Sequence, residues 1–154
     1  MNETLSEEDL KNGTYLIDGQ SITLINGMAE TEIIAGSASK QVTTYFGNAV
    51  DIDLNSDGRI DSAFLLQKET GGSGTFYYVV AALNTENGLL GTNAIFIGDR
   101  IAPQSTNIDP NNETQFIVNY ADRNIGEPMS AQPSVGVSKT FKLENGSLVE
   151  VISP

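Results

Sequence analysis

Short runs of apolar and β-branched residues, separated by turn dipeptides that contain glycine, recur along almost the whole chain. The run 28–34 illustrates the pattern, because Glu30 and Glu32 alternate with less polar residues, as in a strand that has one face toward water. Asp18-Gly19 and Asn26-Gly27 flank the neighbouring runs. Such dipeptides favour two-residue hairpin turns, so the chain is predicted to begin its β structure as a meander.

About ten such runs follow one another, with little of the 3.6-residue period that is typical of helices. The predicted strands span residues 14–17, 21–25, 28–34, 40–46, 62–67, 75–83, 89–97, 115–120, 134–143 and 147–152. The run 75–83 is apolar throughout, which indicates burial on both faces. Two polar stretches, 107–114 and 121–133, are predicted to be exposed loops. This pattern predicts an all-β fold, an antiparallel sandwich or barrel of about ten short strands.

The N-terminal region has a different pattern. Ser6 precedes a short acidic stretch and Asn12-Gly13 ends it, which predicts one short helix in an N-terminal extension that covers residues 1–12. Residues 13–154 are predicted to form a single β domain, since this length suffices for one hydrophobic core.

One acidic loop carries the clearest chemistry in the chain. Four side chains with oxygen donors alternate along it, and they are Asp53, Asn55, Asp57 and Asp61. Gly58 permits a sharp turn between them, and Arg59 stands where a backbone carbonyl can serve as a further ligand. In an EF-hand the twelfth position is a Glu, whereas here it is Phe64, so the loop is predicted to join strands rather than helices.

The donor set predicts a calcium site. Ca²⁺ takes about 6–8 oxygen ligands in flexible geometry, whereas Mg²⁺ demands a near-ideal octahedron and retains its waters. Carboxylates that are crowded together repel one another unless a cation lies between them. The alternative is a solvated acidic turn without an ion.

The composition narrows the possible functions. Eight basic and twenty acidic residues give a net charge of −12, which disfavours nucleic acid and anionic membranes as partners. The chain has no Cys and no His, which excludes disulfides, zinc thiolate sites and imidazole-based catalytic triads. Hydrolases that use carboxylate pairs or metal ions stay open, although no particular pair stands out among twenty acidic residues. The sequence contains no run of about 18 consecutive apolar residues, so it predicts no membrane-spanning helix.

The order of several motifs resembles a family of exported bacterial domains of unknown function, often found in lipoproteins. The motifs lie at residues 12–15, 53–61, 71–78, 98–100 and 126–133, and the resemblance covers about residues 12–151. The acidic loop itself resembles the calcium loops of FG-GAP and VCBS repeats. Many members of the exported family carry a Cys pair before the last proline, whereas this chain has Ser130-Ala131-Gln132 there. The resemblance implies a secreted or periplasmic β domain with a calcium loop, and it brings no catalytic residues.

Taken together, these features predict a calcium-binding, noncatalytic binding or interaction module. Its expected partner is an unknown protein or glycan of the cell envelope, contacted through the loops at 71–74 and 121–133. The alternatives are a hydrolase of glycans or other envelope polymers that uses acidic residues, and a purely structural accessory domain. The acidic N-terminus fits a trimmed exported chain or a cytosolic one, but calcium at extracellular concentration favours a secreted or periplasmic location. Lipid anchoring of a full precursor stays open.

Overall fold

The computed structural model describes residues 4–32, 36 and 40–152, and nearly all of them lie in strands and turns. The helix and strands in chain order are α1 (Glu7–Leu10), β1 (Thr14–Ile17), β2 (Gln20–Thr23), β3 (Met28–Glu32), β4 (Lys40–Ile52), β5 (Asp61–Glu69), β6 (Phe76–Thr85), β7 (Gly88–Gly91), β8 (Ile95–Asp99), β9 (Ala102–Asp109), β10 (Asn112–Asp122), β11 (Val135–Glu144) and β12 (Ser147–Val151). The predicted all-β antiparallel fold is confirmed, and it is a sandwich rather than a closed barrel.

The described residues form three antiparallel sheets. The largest has the order β3-β4-β5-β6-β7, with β8 pairing β6 beside β7, and the second has the order β12-β11-β10-β9. The hairpin β1-β2 forms the third. In the described part of the chain, neighbouring strands pair mainly through short connections, which is the pattern that closely spaced turn residues predict.

The central strands β5 and β6 are buried on both faces. Alternate residues of each strand point to opposite sides, so the two strands contribute to two separate hydrophobic clusters. Leu65 and Val79 face the cluster that lies between the two larger sheets, which also contains Phe116 and Phe141 of the second sheet. This explains why the sequence of these strands is apolar without alternation.

The second cluster lies on the opposite face of the large sheet, under α1 and the hairpin β1-β2. Phe64 is fully buried there and packs edge-on against Tyr15, with ring centroids 5.3 Å apart. Ser6 caps α1 through a reciprocal capping box with Asp9, and the Tyr15 hydroxyl donates to the Leu10 carbonyl at 2.8 Å. A four-residue helix has little stability alone, so these contacts hold it in place.

Several boundaries differ from the sequence-based expectation, including the end of β4, which extends to Ile52 rather than to residue 46, and two of the differences change the number of strands. The stretch 107–114 was predicted to be an exposed loop, but it is the hairpin between β9 and β10, and its turn lies at Pro110-Asn111. The predicted strand 89–97 is divided into β7 and β8. The described strands number twelve rather than about ten for these reasons. Residues 33 and 34 of the predicted strand 28–34, and residues 1–3 of the predicted extension, lie outside the described residues.

Candidate metal centre

The acidic loop, residues 53–61, connects β4 to the start of β5 in the large sheet. Ile52 pairs with Asp61 at the base of the loop. Ile52 and Leu54 are 2% and 4% exposed and belong to the cluster between the larger sheets. The two buried apolar side chains therefore anchor the loop on the core, and residues 55–58, which follow them, are exposed.

The structure brings three carboxylates of this loop together. Asp53, Asp57 and Asp61 each place one carboxylate oxygen so that the three atoms lie within 4.8 Å of one another. The turn is held from within, because Asp53 Oδ2 accepts the Gly58 N–H at 2.9 Å. Gly58 has a φ of 84°, in the left-handed region that glycine adopts without a steric cost. The cluster can hold a metal ion.

Asp61 is the buried member of the cluster, with an exposed fraction of 1%. Its carboxylate accepts the N–H groups of Leu54 at 2.9 Å and of Asn84 at 2.8 Å. Burial raises the pKa of Asp61, these two hydrogen bonds lower it, and repulsion from Asp57 and Asp53 raises it further. Within the described residues Asp61 pairs with no cationic side chain, so the negative charge of this buried group is left without a counter-charge from the protein.

Asn55 is exposed and lies beside two carboxylates of the cluster, and its amide can act in two ways. With its nitrogen toward the carboxylates, the amide donates to Asp53 Oδ1 at 3.1 Å and to Asp57 Oδ1 at 2.9 Å. Rotated by half a turn, the amide presents its oxygen to the same two carboxylates. The first orientation links the carboxylates to each other, and the second adds an oxygen donor for a cation.

Arg59 takes part in the loop through its backbone. Its N–H donates to Asp57 Oδ1 at 2.9 Å, and its guanidinium extends toward Glu86, with 3.9 Å between Nη2 and Oε1. The guanidinium is therefore directed toward the β6–β7 turn. The use of the Arg59 carbonyl as a ligand stays a prediction.

Asn84 also belongs to this site, and it is not among the residues predicted from the sequence. It lies near the end of β6, and besides its N–H contact with Asp61 its side chain donates to the Ile60 carbonyl at 3.2 Å. The pairing of Ser62 with Ala82 brings these residues together. No local motif signals such a contact, since it depends on the register between two strands.

The loops predicted to meet a partner lie at the other end of the sandwich. β5 runs from the acidic loop to the loop at 70–75, a distance of about 30 Å for a strand of this length. Asp99 Oδ1 accepts the Thr75 N–H at 3.0 Å, which ties this loop to the end of β8. Arg123 donates to the Arg100 carbonyl at 2.9 Å and to the Ala131 carbonyl at 2.7 Å, which brings the loop 123–134 to the same place.

Asp99 and Arg100 therefore form a structural corner. The guanidinium of Arg100 donates twice to the Asp99 carboxylate, at 3.2 and 3.0 Å, and the Arg100 N–H donates to the Thr75 carbonyl. Both charged groups are used to hold the turn. This arrangement favours a role for the ion pair in stabilising the turn over a role in binding a partner.

The fold and the carboxylate cluster define an all-β sandwich with a candidate metal loop. Comparison with protein-family models, with curated proteins and with solved structures finds no match in any of the three. Among the described residues, no helix has the length and apolar character needed to cross a membrane.

Proposed function

We propose that the protein is a calcium-binding, noncatalytic binding or interaction module that works outside the cytoplasm. The observation that carries the proposal is the buried Asp61 carboxylate, whose oxygen lies within 4.8 Å of oxygens from Asp53 and Asp57 and which has no cationic partner in the described structure. One divalent cation at this point offsets the repulsion among all three groups.

The donor chemistry favours Ca²⁺ over other divalent ions. Carboxylate, amide and backbone carbonyl oxygens are hard ligands, and the chain offers neither the thiolates nor the imidazoles that Zn²⁺ and Cu²⁺ prefer. A loop whose ligands come from alternate residues adapts to the longer bonds and higher coordination number of Ca²⁺ more easily than to the strict octahedron of Mg²⁺. The resemblance of the loop to those of FG-GAP and VCBS repeats supports the same ion.

The calcium site supports a secreted or periplasmic location. Extracellular modules bind Ca²⁺ with dissociation constants of about 10⁻⁴–10⁻³ M, which suits the millimolar calcium outside cells and leaves such a site empty at cytosolic levels. The proposed partner is a protein or glycan of the cell envelope. In this account the ion stabilises and shapes the binding module and takes no part in a reaction.

Calorimetric titration of metal-stripped protein tests the ion. We expect one saturable Ca²⁺ site with a dissociation constant of about 10⁻⁴–10⁻³ M and much weaker binding of Mg²⁺. Absence of saturable binding, or equal affinity for both ions, would contradict a calcium loop.

A second experiment tests the binding role. The protein is immobilised and incubated with envelope extracts in the presence of Ca²⁺ or of a chelator that leaves the ionic strength unchanged. We expect some retained components to depend on Ca²⁺. A retained set that is identical under both conditions would separate the ion from recognition and leave it a purely structural role.

A further inference from the structure

A groove lies beside the acidic loop, on the side of the β9–β10 turn. Its volume is about 490 Å³. The residues that matter for its chemistry are Asp51, Asp53, Ile60, Ile108, Glu113 and Thr114. We call it the acidic groove. It lies at the opposite end of the sandwich from the loops at 71–74 and 121–133.

Two carboxylates of the acidic groove are available to a partner. Asp51 and Glu113 are exposed, and neither forms an ion pair with another described residue. They lie outside the cluster of Asp53, Asp57 and Asp61. A cation bound in the acidic loop therefore leaves both of these negative charges in place. Among the described residues that line the groove there is no Lys or Arg, so its field attracts positively charged groups.

The groove also has apolar surface between its carboxylates. Ile108 is 42% exposed, Ile60 is half-buried, and Ile52 lies buried beneath them. An apolar surface next to carboxylates matches the side chains of Lys and Arg, whose aliphatic stems pack on apolar groups while their charged ends reach an acidic group. A second, apolar side chain from the same segment can cover the remaining part of Ile108.

We propose that the acidic groove binds an extended segment of a partner protein in which Lys or Arg alternates with apolar residues. The inference rests on the proposed binding function and names the chemistry of the partner. Charge complementarity carries it, since a protein of net charge −12 here combines unpaired carboxylates with exposed isoleucine. Because Asp51 and Glu113 are not in the carboxylate cluster, binding of the segment is expected both with Ca²⁺ and with chelator.

A titration monitored by the amide NMR spectrum of isotopically labelled protein tests this surface. The probe is a seven-residue peptide of alternating Lys and Val with blocked termini, and the comparison probe has Glu in place of each Lys. We expect saturable shift changes within residues 51–60 and 108–114 for the Lys peptide alone. Shift changes spread over all acidic surfaces, equal binding of the Glu peptide, or no saturable change would overturn the proposal.

Matched variants separate local recognition from bulk attraction. The double variant Asp51→Asn/Glu113→Gln removes two charges from the groove, and Glu8→Gln/Glu30→Gln removes two exposed charges elsewhere. We expect the groove variant to weaken peptide binding about tenfold or more and the control to change it less than about twofold. Equal weakening by both would show that net charge alone attracts the peptide and would overturn the inference.

The outcome is distinguishable from that of the calcium proposal. Peptide binding in the groove, without any Ca²⁺ site in the calorimetric titration, would support this inference and contradict the calcium proposal. A Ca²⁺ site without peptide binding in the groove would support the calcium proposal and contradict this inference. A soluble oligomer of N-acetylglucosamine is titrated in parallel, and shifts of the groove residues with this neutral sugar but not with the Lys peptide would show that the groove serves a glycan instead, against the proposal.

Discussion

Asp57 and Asp109 make the same local contact in different surroundings. Asp57 Oδ1 accepts the Arg59 N–H at 2.9 Å, and Asp109 Oδ1 accepts the Asn111 N–H at 2.9 Å. Of the two, Asp57 has the oxygens of two further carboxylates within 4.8 Å. An Asn at either position keeps the hydrogen-bond acceptor and removes one charge. Comparing the two substitutions therefore distinguishes an effect on the turn from an effect on cation binding.

Asp57→Asn is expected to weaken Ca²⁺ binding about tenfold or more, because the affinity of such loops follows the number of charged ligands. Without the ion, the variant should be at least as stable as the wild type, since one repulsive charge is gone. Calorimetric titration measures the affinity, and Asp109→Asn is the control with unchanged affinity. Equal affinities in both variants and the wild type would place the ion elsewhere.

Asp18 forms a different kind of charged contact, between the β1-β2 hairpin and the large sheet. Its Oδ2 accepts hydrogen bonds from Lys68 Nζ and from the Tyr78 hydroxyl. The hydrogen bond from Lys68 lowers the pKa of Asp18 most, against a smaller opposing effect of burial. Burial lowers the pKa of Lys68, but its hydrogen bonds with Asp18 and Tyr78 raise it more.

The direction of these pKa shifts predicts a pH dependence. A folded carboxylate with a lowered pKa stabilises the protein above the pKa of the unfolded chain, and this stabilisation is lost as the pH falls through the folded pKa. The unfolding free energy of the wild type should therefore exceed that of Asp18→Asn at neutral pH, and the difference should shrink below about pH 4. Urea unfolding of both proteins across this range measures it. A difference that stays constant would argue against a contribution from the Asp18 charge. Asn also tolerates the positive φ of 50° at this turn position, so the comparison isolates the charge.

Among the elements, β12 is an edge strand of the second sheet. On its unpaired side, the side chain of Asn93 forms hydrogen bonds with its backbone. The amide of Asn93 donates to the Leu148 carbonyl at 3.0 Å and accepts the Leu148 N–H at 2.8 Å. Asn93 lies between β7 and β8, so this contact joins the two larger sheets. It also occupies backbone groups through which an edge strand can pair with another chain.

Asn93→Ala should lower the free energy of unfolding by about 1–3 kcal/mol, because it leaves both backbone groups of Leu148 without this partner. The matched control is Asn107→Ala, since Asn107 is exposed and its side chain donates to the Ser105 hydroxyl in the described structure, so its loss should cost less than about 0.5 kcal/mol. Urea unfolding compares the two variants. Similar losses of stability in the two variants would mean that the hydrogen bonds between Asn93 and Leu148 contribute little to the free energy of unfolding.

The strands that the sequence predicted well are those with an unambiguous turn or burial signal. Asp18-Gly19, Asn26-Gly27 and Asn145-Gly146 all have positive φ at both residues, as two-residue hairpin turns of this type require. β9 was missed because its outward residues, such as Ser105 and Asn107, are polar and Pro103 interrupts the pattern. A strand of this kind is stabilised by pairing with β10, which no local window contains.

The candidate site shows the same division between local and long-range information. The spacing of Asp53, Asp57 and Asp61 predicted that their oxygens converge, and the structure brings these three together. The contacts of Asn84 with Asp61 and Ile60 depend on the register of β5 and β6, and the sequence contains no motif for them. The candidate side-chain ligands are thus local in sequence, whereas Asn84, which donates to the buried Asp61 carboxylate, is not.

At the scale of the whole molecule, the large sheet is the middle layer between the second sheet and the N-terminal layer of α1 and the β1-β2 hairpin. β5 and β6 supply side chains both to the cluster between the larger sheets and to the cluster beneath α1 and the β1-β2 hairpin. Loss of either outer layer exposes one face of the same apolar strands. The layers are therefore expected to unfold together rather than one after another.

Urea unfolding followed by far-ultraviolet circular dichroism and by tyrosine fluorescence tests this coupling. The two probes should give coincident transitions, and Phe64→Leu, which alters only the side facing the hairpin, should shift both by the same amount, about 1 kcal/mol or more. An earlier transition in the tyrosine signal, to which the buried Tyr15 contributes, would show that the N-terminal layer unfolds separately.

Calcium binding should stabilise this cooperative unit as a whole, because the ion binds the folded loop and not the unfolded chain. Thermal unfolding of metal-stripped protein, titrated with Ca²⁺ or with the same concentrations of Mg²⁺, tests the central claim most directly. Saturation at about 100 times the dissociation constant should add roughly 2.7 kcal/mol and raise the midpoint by roughly 5–10 °C with Ca²⁺, with little effect of Mg²⁺. A midpoint that neither ion raises, or that both raise equally, would contradict a calcium site in the acidic loop.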